Sequence, residues 1–179
     1  MLNPHQTALI LVDVQGNLAR AMPENQHLIK NIQSCIKAAQ ALDIPTVWIE
    51  QYPEGLGETI AELKELLPEQ VPLRKTTFGC MSNPGISAAL TQLGRQQLLV
   101  CGIETHVCVY QSVMQMLEAG YEVELITDAV GSRDPANKQL AIAKMQTKGA
   151  SLTSTEMWIF EATKDAKSPL FKDILKIVK

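Results

Sequence analysis

The residues best suited to chemistry lie in three places along the 179-residue chain. In the segment Cys101-Gly102-Ile103-Glu104-Thr105-His106-Val107-Cys108-Val109, the end of an apolar run meets an amphipathic stretch. Val109, Val113, Met116 and Leu117 share one side of that stretch and Gly120 closes it, so a helix is expected to start near Thr105 with Cys108 in its first turn. There the unpaired backbone N–H groups and the positive end of the helix dipole favour a thiolate, and a thiol so placed can titrate at about 3.5–7.5 instead of about 8.5. The same N–H groups can hold an oxyanion. The competing reading makes Cys108 a small buried hydrophobe. Asp13 follows the aliphatic run Ala8 to Val12, where an ionised carboxylate is costly without a partner or a function. Lys75 ends a short apolar-to-basic segment, Val71 to Lys75. Together an Asp, a Lys and a helix-start Cys supply an acid/base, a cation and a nucleophile. A plain Asp13–Lys75 salt bridge is the alternative.

These residues can meet only if the chain places them at one edge of a sheet. Short apolar runs alternate with amphipathic segments, the pattern of βα units with a parallel sheet covered on both faces. Strands are expected at 8–13, 45–50, 71–75, 97–101, 121–127 and 150–153. Leu28, Ile32, Cys35, Ile36, Ala39 and Leu42 recur at helical spacing, which predicts a helix over about 26–42. Asn83-Pro84 with Gly94, and Asp134-Pro135 with Gly149, read as start and stop signals of two more helices. Ser168-Pro169 is expected to open a last one, whose Phe171, Ile174, Ile177 and Val178 could cover the sheet or join an interface. With parallel strands, Asp13, Lys75 and the Cys108 turn all emerge at the carboxyl edge, where open α/β sheets carry their sites. The irregular stretch 51–57, with Pro53, Gly55 and Gly57, sits at that edge as well.

Composition narrows the function classes. The length fits one domain, 1–179, without linkers or repeats. Net charge is −3 with basic residues scattered, and aromatics are only 4%, so neither a cationic nucleic-acid footprint nor a base-stacking platform is expected. No apolar run approaches the roughly 20 residues that cross a bilayer, and the first residues lack a signal-peptide pattern, so no membrane partner and a cytoplasmic location are expected. The four cysteines form no C-x-x-C pair and read as reduced thiols. Cys35 and Cys101 fall at core positions, while Cys80, in the loop after Lys75, could line a pocket. No dinucleotide or P-loop fingerprint occurs, and no cofactor is expected.

In order and spacing, Leu11-Val12-Asp13-Val14-Gln15, Arg74-Lys75-Thr76-Thr77-Phe78 and Gly102-Ile103-Glu104-Thr105-His106-Val107-Cys108-Val109 resemble the isochorismatase-like cysteine hydrolases, over nearly the whole chain. Glu50 to Gly57 and Asp128-Ala129-Val130-Gly131-Ser132-Arg133 are most similar to the isochorismatase domain-containing proteins of that superfamily. The resemblance implies a three-layer α/β/α sandwich on a six-stranded parallel sheet of order 3-2-1-4-5-6. It also implies Cys108 as nucleophile, Asp13 as base and then acid, Lys75 as the ordering cation, and the backbone N–H groups of Glu104 and Cys108 as oxyanion hole. A cis Ile103–Glu104 peptide and a homo-oligomer, dimer or higher, belong to the same expectation. The implied reaction is hydrolysis of a small amide through an acyl-enzyme.

Departures from relatives refine that picture. Nicotinamidases, which share the triad pattern, hold a metal through Asp-x-His after the second strand; here Glu50-Gln51-Tyr52 stands there, and His5, His27 and His106 form no ligand pair, so no metal is expected. Vinyl-ether isochorismatases lack the cysteine that this chain has. Leu18 stands where the family often has an aromatic. Gln15, Leu18, Tyr52 and Phe78 are the candidate substrate contacts. Ether hydrolysis, a silent binding protein on the same fold and a redox sensor at Cys108 remain the alternatives.

Overall fold

The computed structural model describes residues 1–179. Six strands, β1 (Thr7–Val12), β2 (Thr46–Gln51), β3 (Leu73–Lys75), β4 (Gln97–Ile103), β5 (Glu122–Gly131) and β6 (Ser151–Thr153), make one sheet ordered β3-β2-β1-β4-β5-β6. Every pairing is parallel. The helices are α1 (Gly16–Arg20), α2 (Asn25–Ala41), α3 (Pro53–Leu56), α4 (Ala61–Lys64), α5 (Pro84–Leu93), α6 (Tyr110–Glu118), α7 (Pro135–Thr147), α8 (Thr155–Thr163) and α9 (Phe171–Val178).

β1 is buried at every position, as its uninterrupted aliphatic sequence requires. Alternation sends Leu9 and Leu11 to one face and Ala8, Ile10 and Val12 to the other. The first face packs against Ile32 and Ile36 of α2, Trp158 and Ile159 of α8 and Ile174 of α9. The second packs against Ile86 and Leu90 of α5, Val113 and Met116 of α6 and Met145 of α7. Each such side chain contributes about 1.5–3 kcal/mol by leaving water, so the sheet is a rigid platform and its carboxyl edge is fixed. The caps follow the sequence signals. Asn83 accepts from the N–H groups of Gly85 and Ile86, Asp134 accepts from that of Ala136, and Gly94 ends α5 in the left-handed region.

Several boundaries differ from the sequence reading. β3 starts at Leu73, because Val71 is turned out to solvent. α9 starts at Phe171 rather than beside Pro169, since Ser168 Oγ accepts from the Leu170 N–H and forms a turn first. α9 lies on α2, with Ile174 fully buried, so it covers its own core. Most consequentially, β5 runs on to Gly131. After Val100↔Leu125 the register with β4 shifts and resumes at Gly102↔Val130 and Ile103↔Gly131. That irregularity carries residues 128–133 to the carboxyl edge.

Candidate active site

The three chemistry-bearing residues do converge. Gly102 pairs with Val12 at φ +125°, and a Cβ there would collide with the Val12 carbonyl, so only glycine lets β4 lie this close to the end of β1. Asp13, next in the chain, turns out of the strand at φ 53°, a left-handed conformation that aspartate tolerates better than most residues. Lys75, at the end of β3, donates to Asp13 Oδ2 at 2.7 Å, and both side chains are buried. Asp13 Oδ1 has no hydrogen-bond partner.

Cys108 lies beside this pair. The chain leaves β4 through a cis Ile103–Glu104 peptide and enters a widened, π-type turn, Thr105–Val109, before α6. Cys108 is thus in a first turn, although that turn is wider than a regular α-helix. Its thiol is 7% exposed, whereas Cys35, Cys80 and Cys101 are completely buried. Burial first, then the Asp13 charge, push the Cys108 thiol up to about 12, with Lys75 pulling the other way. Desolvation and the neighbouring carboxylate thus work against the low-pKa thiolate that a helix start by itself would favour. Asp13 is raised above the ordinary 3.8 by burial, against the opposing effect of Lys75 and, less, of the nearby Cys108 thiol.

Gln51 is the residue that sequence reasoning passed over. Its Oε1 accepts from Lys75 Nζ at 2.6 Å and lies 4.0 Å from Cys108 Sγ, while its Nε2 donates to the Thr76 carbonyl. The signal was its register: Gln51 pairs with Lys75, one position past the last β2 residue that sequence predicted to be strand. Gln15 fixes Gln51 from behind. Its Oε1 accepts from Gln51 N–H at 2.7 Å, and its Nε2 donates to the carbonyls of Gln51 and Gly57. The buried Gln15 amide is thus committed to the backbone on both sides. Leu18 packs, half-buried, against the core on the α2 face. Tyr52, at φ 36°, and Phe78 stay half-exposed on the loops that follow β2 and β3. Cys80 is sealed in the core, its N–H donating to Ser112 Oγ, so it lines no open pocket.

A second cluster holds the turn itself. Glu104 accepts from Arg133 N–H at 3.1 Å and Nε at 3.0 Å through Oε1, and from Nη2 at 3.2 Å through Oε2. Burial works against the Glu104 charge, but the Arg133 contacts outweigh it and keep the carboxyl below its ordinary value. His106 Nδ1 is 3.0 Å from Ser132 Oγ. The Glu104 carbonyl accepts from Val107 and Val109 N–H, and its own N–H has no acceptor. No three His, Cys, Asp or Glu side chains anywhere are grouped to hold a metal ion, and no helix is long and apolar enough to cross a membrane.

A doubly covered parallel sheet that gathers a carboxylate, an ammonium and a thiol at its carboxyl edge has the hydrolase fold of one particular group of α/β proteins. The chain belongs to the isochorismatase family, whose domain matches residues 7–157. It is 35% identical to mouse isochorismatase domain-containing protein 2A over 98% of this chain and 84% of that one. Among solved structures, the MAR1 ribonuclease of Caenorhabditis elegans superposes with a TM-score of 0.92 at 36% identity, covering 99% of this chain and 91% of that one. YcaC from Pseudomonas aeruginosa, solved with hexane-2,5-diol and covalent acrylamide, gives a TM-score of 0.92 at 27% identity over 98% and 90% of the two chains.

Proposed function

We propose that the protein hydrolyses the C–N bond of a small amide through a thioester on Cys108. The observation that carries this reading is an Asp13 carboxylate near Cys108, anchored by Lys75 on Oδ2 and with Oδ1 free of hydrogen-bond partners. Asp13 takes the thiol proton as sulfur attacks the carbonyl carbon, giving a tetrahedral oxyanion held by the N–H groups of Glu104 and Cys108. The C–N bond then breaks, Asp13 returns the proton to the departing nitrogen, and ammonia or an amine leaves. Water attacks the thioester, Asp13 accepts the water proton, and the acid is released with the thiol restored. No metal and no cofactor takes part in this scheme.

A thiol with a pKa of about 12 supports base-assisted attack, because a free thiolate would be too scarce at neutral pH. The covalent acrylamide in the Pseudomonas relative supports a reactive nucleophile in this family. Tyr52 and Phe78 are the substrate contacts in this reading, and the cell's cytoplasm and a homo-oligomer are its setting. Ammonia release from a panel of small amides and ureides, compared between wild type and Cys108→Ala, tests the reaction. Absence of any Cys108-dependent release would return the protein to the binding-protein reading. The ribonuclease name of the Caenorhabditis relative makes an RNA oligonucleotide a necessary arm of the panel. A net charge of −3 argues against cleavage there.

A further inference from the structure

We propose that Glu104 and Arg133 form a clasp that aims the oxyanion hole, making both of them positioning residues for acyl transfer; this rests on the thioester reading above. Three of the four polar positions of Glu104 are committed. Its carbonyl is held by the N–H groups of Val107 and Val109, and both carboxylate oxygens are held by Arg133. Only its backbone N–H is left without an acceptor. A residue tied at its carbonyl and at its side chain has one orientation for its N–H, and a preorganised donor spends no reorganisation energy when the oxyanion appears.

The clasp joins two segments that are far apart in sequence. Arg133 reaches Glu104 because β5 resumes pairing with β4 at Val130 and Gly131, which delivers residues 132 and 133 against the start of the nucleophile turn. Ser132 adds a second tie to the same turn through His106 Nδ1. Glu104 is 7% exposed, so without the Arg133 side chain its Oε2 would lose its partner and its Oε1 would keep only the N–H of residue 133. The Arg133 side chain is 63% exposed, so replacing it leaves no cavity in the core.

Two probes of Cys108 separate this role from general support. Alkylation by iodoacetamide displaces iodide from a saturated carbon and forms no oxyanion. Acylation by p-nitrophenyl acetate passes through one. In Arg133→Met, acylation of Cys108 should fall about 100-fold, the usual cost of losing one oxyanion donor. Alkylation should stay within about twofold of wild type. Arg133→Lys, which keeps the backbone N–H contact and one charge-assisted bond, should restore part of the acylation rate, and Glu104→Gln should fall between the two. Acylation of Arg133→Met at the wild-type rate overturns the clasp. So does a parallel fall in both probes, which would mean that Arg133 merely supports the turn. A wild-type Cys108 that alkylates but never acylates overturns the thioester reading and the clasp with it, a pattern distinct from the other two.

Discussion

Lys75→Met is the most informative single perturbation, since it removes one half of a buried ion pair. Lys75 Nζ lies 2.7 Å from Asp13 Oδ2 and 2.6 Å from Gln51 Oε1, and the other Asp13 oxygen has no partner. Without the ammonium, Asp13 must stay charged in a dry site or take up a proton on folding. Proton uptake caps the penalty at 1.36 kcal/mol for each pH unit above the ordinary Asp value of 3.8, or about 4.4 kcal/mol at pH 7. That agrees with the roughly 3–5 kcal/mol typical of breaking a buried pair from one side. The sign of the pH dependence follows. The folded variant binds a proton that the unfolded chain releases above pH 3.8, so its deficit should shrink on acidification, to about 1 kcal/mol at pH 4.5. Urea unfolding of wild type and variant at the two pH values measures this directly. The double variant Asp13→Asn/Lys75→Met carries no stranded charge and should recover most of the stability. A loss below about 1 kcal/mol at pH 7, or an equal loss at both pH values, would refute the claim that the pair is dry and mutually dependent.

Other outcomes follow from the same geometry. The alkylation rate of Cys108 should climb steadily from pH 7 to 10, because its thiol is pushed up to about 12; a plateau reached near pH 7 would show a standing thiolate instead. The acid limb of kcat/KM should have its midpoint above 3.8, where burial places the Asp13 carboxyl, and Asp13→Asn should abolish turnover altogether. Gln51→Leu removes a charge-assisted bond to Lys75 and should cost about 1.5–3 kcal/mol in chemical unfolding, with a loss of activity larger than that of Phe78→Ala. Gly102→Ala, forced into a left-handed φ and onto the Val12 carbonyl, should destabilise by more than about 1 kcal/mol in the same assay.

Much of the fold was legible along the chain because its signals are local. The aliphatic run before Asp13 could only be a doubly covered strand, and the Asn83-Pro84 and Asp134-Pro135 pairs are helix starts by their own stereochemistry. The short helices α1, α3 and α4 escaped notice because a single turn has no periodicity to read, and the longer α8 was not read from the sequence either. Asp13, Lys75 and Cys108 could be singled out by residue type, strand-end position and resemblance. Gln51 and Arg133 fell inside stretches that carry the resemblance, but a glutamine at a strand end and an exposed arginine gave no sign of what they touch.

The sequence by itself determined a parallel α/β sheet and the three reactive side chains brought to its carboxyl edge. Tertiary structure alone decided their burial and their company. It buried Cys108 near Asp13, which pushes the thiol up, and it closed Gln15 into a backbone brace for Gln51. By shifting the register of β5 it also carried Arg133 onto Glu104. The physical reason is range. Propensities, caps and alternation act over a few residues, whereas desolvation, charge coupling and strand register depend on groups that only the folded chain brings together.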